Sequence, residues 1–312
     1  MHFFAFSCRR GGYGGRSLFG AALAVLLAGC SSTPPGSHRG REYAVSPSAL
    51  RKALTFHASF DQGTDADFAH GDPWLYQAPG MDKWKEARAG LAQGGAVRVA
   101  GGEGKYGAAL RFERQAEPVA FYRAGSNVAW KARDWSGSVS FWLRTDLAAL
   151  GEGYCDPLQL TPRKWDDAAF FVEFERRGKN VPFRLGAYAD FKVWNPLNRK
   201  WGEMSAAEKP LITVQGPPFA GDEWTHVVIT WERFNTGQSN GVAMLYLNGA
   251  QIGALRGRTQ TFTWSPADLR LLLGVGYVGW MDDVAVFNRA LNAQEVQYVR
   301  TLAGGIRSLP RK

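Results

Sequence analysis

Glu173 and Glu175 stand two residues apart at the end of an alternating apolar run. On a β-strand that spacing turns both carboxylates to one side, about 6.6 Å apart along the backbone. Carboxylates roughly 5–10 Å apart are what glycoside hydrolysis needs, one to protonate the leaving oxygen and one to attack or to activate water. The plain alternative is a charged strand edge facing solvent. Close by, Trp165-Asp166-Asp167 precedes the segment Tyr188-Ala189-Asp190-Phe191-Lys192-Val193-Trp194-Asn195-Pro196 and then Trp201-Gly202-Glu203. Aromatic rings beside acids and amides suit a sugar, which offers an apolar face for stacking and hydroxyls for hydrogen bonds. The candidate ligand-binding residues are therefore Trp165, Tyr188, Asp190, Trp194 and Trp201, although the same rings would serve equally to pin a long loop. Trp74, Tyr76 and Trp84 form a second aromatic group of this kind. Zinc-ligand spacings, phosphate-binding glycine loops and nucleophile elbows are absent from the sequence.

Strands must position these residues. Alternating, β-branched or aromatic runs occur over 54–60, 108–112, 119–122, 138–143, 168–174, 183–188, 224–231, 242–247, 251–255, 269–273 and 283–287. Asn248-Gly249 between two such runs is a strong hairpin signal, because both residues tolerate positive φ. Ser46-Pro47-Ser48 reads as a short helical turn, and Asn292 with Glu295 has capping-box spacing for a helix near the end. So many strands without alternating helices predict an all-β sandwich. The chain is 45% hydrophobic with 12 Trp and 37 Gly among 312 residues, enough for a large core with tight turns. In the run 224–231, Thr225, Val227, Ile229 and Trp231 share the core face. His226 then lies on the other face and reads as a structural histidine, packed between sheets or bonded to a rim loop, not as a catalytic base.

The net charge is +9. Three arginines and no acids fall in residues 1–30, and without them the charge is +6, scattered among acids with no basic stripe. Nucleic acid is not expected as a partner. Residues 1–29 have the arginines, the short apolar run and the small-residue end of a secretory signal, and the run is too short to span a bilayer. Leu27-Ala28-Gly29-Cys30 resembles the bacterial lipobox, which implies cleavage before Cys30 and acylation of its sulfur. Several acyl chains hold a protein firmly to a membrane. Ser31, where an Asp commonly marks inner-membrane retention, leans the resemblance toward the outer membrane. The expected order is signal peptide 1–29, flexible Ser/Thr/Pro/Gly tether 30–45, one domain over 46–306 and a basic tail 307–312. Cys155 is then the only internal cysteine, so no disulfide is expected within the domain.

The last hundred residues contain Glu223-Trp224-Thr225-His226-Val227-Val228, then Leu245-Tyr246-Leu247-Asn248-Gly249, then Gly279-Trp280-Met281-Asp282-Asp283-Val284-Ala285-Val286-Phe287-Asn288-Arg289-Ala290-Leu291. In that order they resemble the laminin G-like jelly roll of the concanavalin A-like lectin and glucanase superfamily. Phe56–Asp61 and Gly104-Lys105-Tyr106-Gly107-Ala108-Ala109-Leu110 resemble its opening strand and glycine turn, so the likeness covers roughly residues 50–303. The resemblance implies a jelly roll of two antiparallel sheets with a short C-terminal helix. It also implies a structural calcium ion at Asp61, Asp282 and the Gly107 carbonyl, hard oxygen donors that would tie the first strand to the last. Without an ion, Asp61 would cap a turn and Asp282 would pair with a base. The related glucanases carry an E-x-D-x-x-E strand, and Glu173-Phe174-Glu175-Arg176-Arg177-Gly178 lacks its central Asp and final Glu. The first expectation for function is thus a non-catalytic envelope module that binds a glycan or an envelope protein through rim loops. A glycoside hydrolase and a structural envelope lipoprotein are the alternatives.

Overall fold

The computed structural model describes residues 44–310. The expected signal peptide 1–29, Cys30, most of the expected tether and the last two residues of the expected basic tail lie outside them. Among the described residues no helix is long and apolar enough to cross a membrane.

Two antiparallel sheets form a sandwich, as the strand pattern predicts. The first runs, in spatial order, Ala250–Arg258, Gly241–Leu247, Thr225–Phe234, Trp135–Arg144, Gly279–Phe287, Leu54–Ala58 and Phe68–Ala69. Ala109–Phe112 joins it on Gly279–Phe287 and in turn pairs with Val97–Ala100. The second runs Leu211–Val214, Phe183–Tyr188, Ala169–Arg176, Gly153–Thr161, Arg270–Val275, Val119–Arg123, Leu75–Ala78 and Arg88–Ala89. Consecutive hairpins build one end of each sheet, from Thr225–Phe234 to Ala250–Arg258 and from Gly153–Thr161 to Leu211–Val214, while the opening strand Leu54–Ala58 pairs with the closing strand Gly279–Phe287.

Alternation along each strand divides the side chains between the two faces. Val227, Ile229 and Trp231 enter the core between the sheets, while Val228 points outward. That core is unusually aromatic at one end. Trp135 packs on Trp231 with ring centroids 4.7 Å apart and on Trp264 at 5.2 Å, and Phe170 meets Trp231 edge-on at 5.3 Å. Each such fully buried ring contributes roughly 1.5–3 kcal/mol from burial. The core suffices without a bridge, and Cys155 is a free, buried thiol.

The outer faces differ. On the first sheet, helix Pro47–Ala53 and helix Ala293–Thr301 cover an apolar layer that includes Leu50, Val228, Phe287 and Val296. The first helix starts at Ser46, whose hydroxyl accepts from the Ala49 amide, with Pro47 at its first turn. The second has the full capping box, Asn292 accepting from the Glu295 amide and Glu295 from the Asn292 amide. Arg289 grips Glu295 with both guanidinium nitrogens at 2.6–2.7 Å. At the hairpin, Asn248 and Gly249 have φ of 50° and 84°, and a Cβ on Gly249 would run into Gln297. The second sheet carries no such helical layer.

Three differences from the sequence reading have physical causes. The nine-residue strand Gly153–Thr161 was not expected, because Asp156-Pro157 in its middle reads as a turn. Several edge strands of two to four residues, such as Phe68–Ala69 and Leu211–Val214, are too short to leave a pattern. A third, four-residue helix, Phe191–Trp194, sits inside the aromatic insertion.

His226 is fully buried on the outer side of the first sheet, under Trp142 at 4.7 Å, with Nε2 at 2.9 Å from the Ser140 hydroxyl. It is structural, as expected, but it lies outside the intersheet core. Desolvation, with Arg300 nearby, pushes its pKa down from 6.5 to about 3. The unfolded chain therefore takes up a proton below pH 6.5 that the folded chain refuses until about 3. This residue's share of stability is complete above pH 6.5 and declines as pH falls, by up to about 1.4 kcal/mol per pH unit. Urea unfolding at pH 7 and pH 5 should show His226→Gln closing on the unaltered chain by about 2 kcal/mol over that interval. A gap independent of pH would mean that the ring titrates in the fold as it does in the unfolded chain, against its burial.

Candidate functional site

The outer face of the second sheet holds two small aromatic clusters. Tyr76 and Trp84 pack on Phe121 at one side, and Trp194, Trp201 and Tyr188 gather on Phe171 at the other. Between them the central strands form the floor of an open cleft of about 1300 Å³. Trp165 and Tyr154 stand at its rim, 56% and 52% exposed. Rings this exposed can make contact with a ligand.

The floor depends on an irregularity in strand Gly153–Thr161. Val172 pairs with Leu158 and Phe174 with Cys155, so the strand holds one extra residue opposite Glu173. A β-bulge of this kind re-aims side chains, and Pro157, which has no amide proton to donate, is tolerated there. Cys155, Leu158 and Leu160 all reach the core, while Asp156 and Gln159, three residues apart, both line the cleft. Gln159 is 2% exposed and its Nε2 has no hydrogen-bond partner. A buried donor left unmatched costs free energy that a ligand acceptor would return.

Glu173 and Glu175 face the same side, as their spacing predicts, and both are held by one guanidinium. Arg184 on the neighbouring strand lies 2.6 Å from Glu173 and 2.5 Å from Glu175. Arg177 reaches Glu175 at 2.9 Å and donates to the Tyr154 hydroxyl at 3.1 Å. The Arg184 guanidinium also sits 5.1 Å from the Tyr154 ring centroid, so the rim tyrosine is fixed from below. Burial pushes Glu173 up to about 7 against the pull of Arg184. In Glu175 the desolvation is outweighed by Arg184, Arg177 and the Tyr154 hydroxyl, which hold it below the ordinary range. Asp156 has no hydrogen-bond or ion-pair partner among the described residues. Desolvation first, and the neighbouring Glu173 second, raise it well above the usual carboxylate range.

The expected ligand-binding residues separate here. Trp165, Tyr188 and Trp201 line the cleft. Tyr188 is buried, and its ring supports Trp165 edge-on at 6.0 Å and stacks with Trp201 at 6.1 Å. Asp190 and Trp194 do not line it. Asp190 accepts from the Thr263 amide and hydroxyl at 3.0 and 2.8 Å, and the Trp194 indole donates to the Asp166 carbonyl at 2.8 Å. Both residues fasten the insertion to the sandwich, the loop-pinning role that the sequence also allowed. Asp156 and Gln159 are the site residues that sequence reasoning missed. The one available signal was Asp-Pro within an otherwise strand-like stretch.

At the far side of the first sheet, Asp61, Gly107 and Asp282 come together around one turn. Asp61 accepts from the Ala108 amide at 2.8 Å and pairs with Arg307, and Asp282 accepts from the Tyr106 amide at 2.9 Å and the Asp283 amide at 2.6 Å. Gly107 has φ of 90°, and a Cβ there would strike the Asp61 carboxylate. Asp282 has no basic partner, and desolvation, aided by the charges of Asp283 and Asp61, lifts it to about 8 against its two amide donors. Asp61 thus caps the turn, whereas the base expected for Asp282 is missing. The donors are hard oxygens of the kind calcium takes. Among the described residues no group of three or more His, Cys, Asp and Glu gathers as a metal site, so an ion would depend on carbonyl ligands as well.

No curated protein matches the sequence. Among solved structures, domain 4 of an extracellular arabinanase from Geobacillus stearothermophilus, determined with arabinotriose, is 17% identical with a TM-score of 0.47, over 78% of this chain and 97% of that one. The receptor-binding domain of botulinum neurotoxin C/D mosaic serotype is 12% identical with a TM-score of 0.48, over 80% of this chain and 51% of that one. The binding domain of Paraclostridial mosquitocidal protein 1 is 14% identical with a TM-score of 0.46, over 80% and 52%. The chain spans about half the length of these two toxin domains. A laminin G-like family model matches residues 128–297, more than half of the sequence, and the chain therefore belongs to the concanavalin A-like lectin/glucanases superfamily.

Proposed function

We propose that this chain is a non-catalytic glycan-binding module that takes its ligand in the cleft on the outer face of the second sheet. The observation that carries the reading is the buried, unpartnered Gln159 amide on a floor flanked by exposed Trp165 and Tyr154. A sugar supplies both complements, a hydroxyl or ring oxygen for the amide and a C–H face for the rings. Arg184 supports the non-catalytic part, because it binds Glu173 and Glu175 together and leaves neither free to attack an anomeric carbon. The hydrolase reading keeps one observation in its favour, the adjacent Asp156 and Glu173 with raised pKa values, the state of a general acid.

A glycan array, followed by titration of the best oligosaccharide, tests both readings. Trp165→Ala should weaken binding about tenfold, roughly 1.4 kcal/mol, with an unchanged melting temperature because the ring is exposed. Release of reducing sugar that disappears in Glu173→Gln would replace the binding reading with the hydrolase.

The calcium expectation is retained as a proposal, with Asp61, Asp282 and the Gly107 carbonyl as protein ligands, and it is supported by the lack of a basic partner for the desolvated Asp282. An ion here would neutralise that carboxylate and tie the first strand to the last. Calcium should raise the melting temperature by several degrees and a chelator reverse it, since about 1 kcal/mol moves the midpoint of a domain this size by roughly 2–4 °C. A midpoint indifferent to both would remove the ion.

Attachment to the envelope through an acylated Cys30, in the outer membrane, completes the proposal, and the mass of the mature amino-terminal peptide checks it. The described chain enters through helix Pro47–Ala53 on the outer face of the first sheet, the layer opposite the cleft.

A further inference from the structure

We infer that the cleft selects glycans carrying free primary amines, that is, de-N-acetylated hexosamine units, through Asp156 and Glu173. The inference rests on the glycan-binding reading and names the ligand class within it.

The charges on the cleft lining are unequally committed. Arg184 is held by Glu173 and Glu175. Arg163 lies 3.4 Å from Asp167 and from Asp190 and donates to the Thr263 carbonyl at 2.7 Å. Lys164 is the cation of the lining with no ion pair among the described residues, and it comes from the rim segment between strands rather than from the floor. On the floor the uncommitted group is an acid. Asp156 lacks any donor, and its nearest charged neighbours are Glu173 and Arg184. An acidic sugar would place a second carboxylate against Asp156 in a desolvated place, which is costly.

An ammonium group answers each feature of this floor. It has three N–H donors and no acceptor, so it can satisfy Asp156 and the outward side of Glu173 together. Glu173, Glu175 and Asp156 face two guanidinium groups, Arg184 and Arg177, so with the three acids ionised one negative charge is left for a ligand ammonium to match. Exposed Tyr154 and Trp165 add two aromatic faces, which attract cations as well as stack on pyranose rings. Gln159 requires that the same ligand present an oxygen acceptor, which a hexosamine hydroxyl provides and a simple alkylamine does not. N-acetylation removes the charge, leaves one N–H donor and adds an acetyl group at the point where Asp156 needs a donor.

The test uses the full chain in detergent, titrated calorimetrically at pH 6.0 in 0.3 M NaCl, so that loose polycation binding is screened. The ligands are the glucosamine pentamer, the N-acetylglucosamine pentamer, the neutral glucose pentamer with the same β-1,4 linkage, and pentalysine. The glucosamine pentamer should bind at least tenfold tighter than each of the others. Asp156→Asn, close to isosteric, should lower the affinity for the glucosamine pentamer at least tenfold and abolish its preference over the N-acetylglucosamine pentamer. Equal affinities for the free and acetylated pentamers, or an unchanged preference in Asp156→Asn, would overturn the inference and leave the glycan-binding reading standing. Tightest binding of pentalysine would overturn it in favour of a peptide ligand. Failure of all three oligosaccharides at millimolar concentration would overturn the inference together with the binding reading at these ligands. The comparison on the unaltered chain decides the matter even if the variant does not fold.

Discussion

The extra residue in strand Gly153–Thr161 is the constraint on which the cleft depends. A regular strand alternates strictly, so Asp156 and Gln159, three residues apart, could not both face outward while Cys155 and Leu158 face the core. The bulge resolves this at the one place where Pro157 could not have donated to a ladder in any case. It also leaves Glu173 across from the irregularity, where its carboxylate meets Arg184 and the Asp156 side. Strand pairing continues on both sides, because Leu158 pairs with Leu273 and Asp156 with Val275 of the other neighbour. A packed central strand thus carries polar groups on a floor that its sequence would otherwise have made apolar.

Arg184 is what makes that floor tolerable. Burying a carboxylate without a partner costs several kcal/mol, and here Glu173 and Glu175 share one guanidinium whose planar fork reaches both. The sharing has chemical consequences. A retaining glycosidase needs one carboxylate free to attack the anomeric carbon and one carboxylic acid free to give its proton to the departing glycosidic oxygen, whereas these two are tied to the same cation. The pair that caught attention by spacing is therefore bound up in the sheet. The unpaired acid beside it, Asp156, is the group left with unmet demand for a donor on the cleft floor.

What the sequence disclosed follows from how locally each feature is determined. The Asn248-Gly249 hairpin, the Ser46-Pro47 helix start and the Asn292–Glu295 capping box are each decided within a few residues, and all three are present. The long strands of both sheets were legible by alternation, and the meeting of Asp61, Gly107 and Asp282 followed from the resemblance of distant motifs. Gly153–Thr161 was not legible because Asp156-Pro157 imitates a turn, and the structure that overrides it, pairing on both sides, is entirely nonlocal. Asp156 and Gln159 were hidden with that strand. Asp190 and Trp194 were indistinguishable from Trp165 and Trp201 by composition, since an aromatic ring beside an acid reads alike whether it faces a ligand or a neighbouring loop. Only the positions of Thr263 and the Asp166 carbonyl separate them.

The two outer faces of the sandwich are finished differently. Both sheets must bury one face in the common core, and either outer face could be left polar or be covered. The first sheet is covered, by two helices whose caps and the Arg289–Glu295 pair fix them in place, and even its histidine is sealed from water. The second keeps large rings at its surface without a helical layer over them, with polar groups between them whose hydrogen bonds are incomplete. The opposite face also keeps an unmatched atom, the Nδ1 of buried His226, but it is packed under Trp142, whereas Gln159 and Asp156 stand on a cleft lining. On the proposed binding reading, their place beneath exposed Trp165 and Tyr154 is what a ligand from outside the chain would complete.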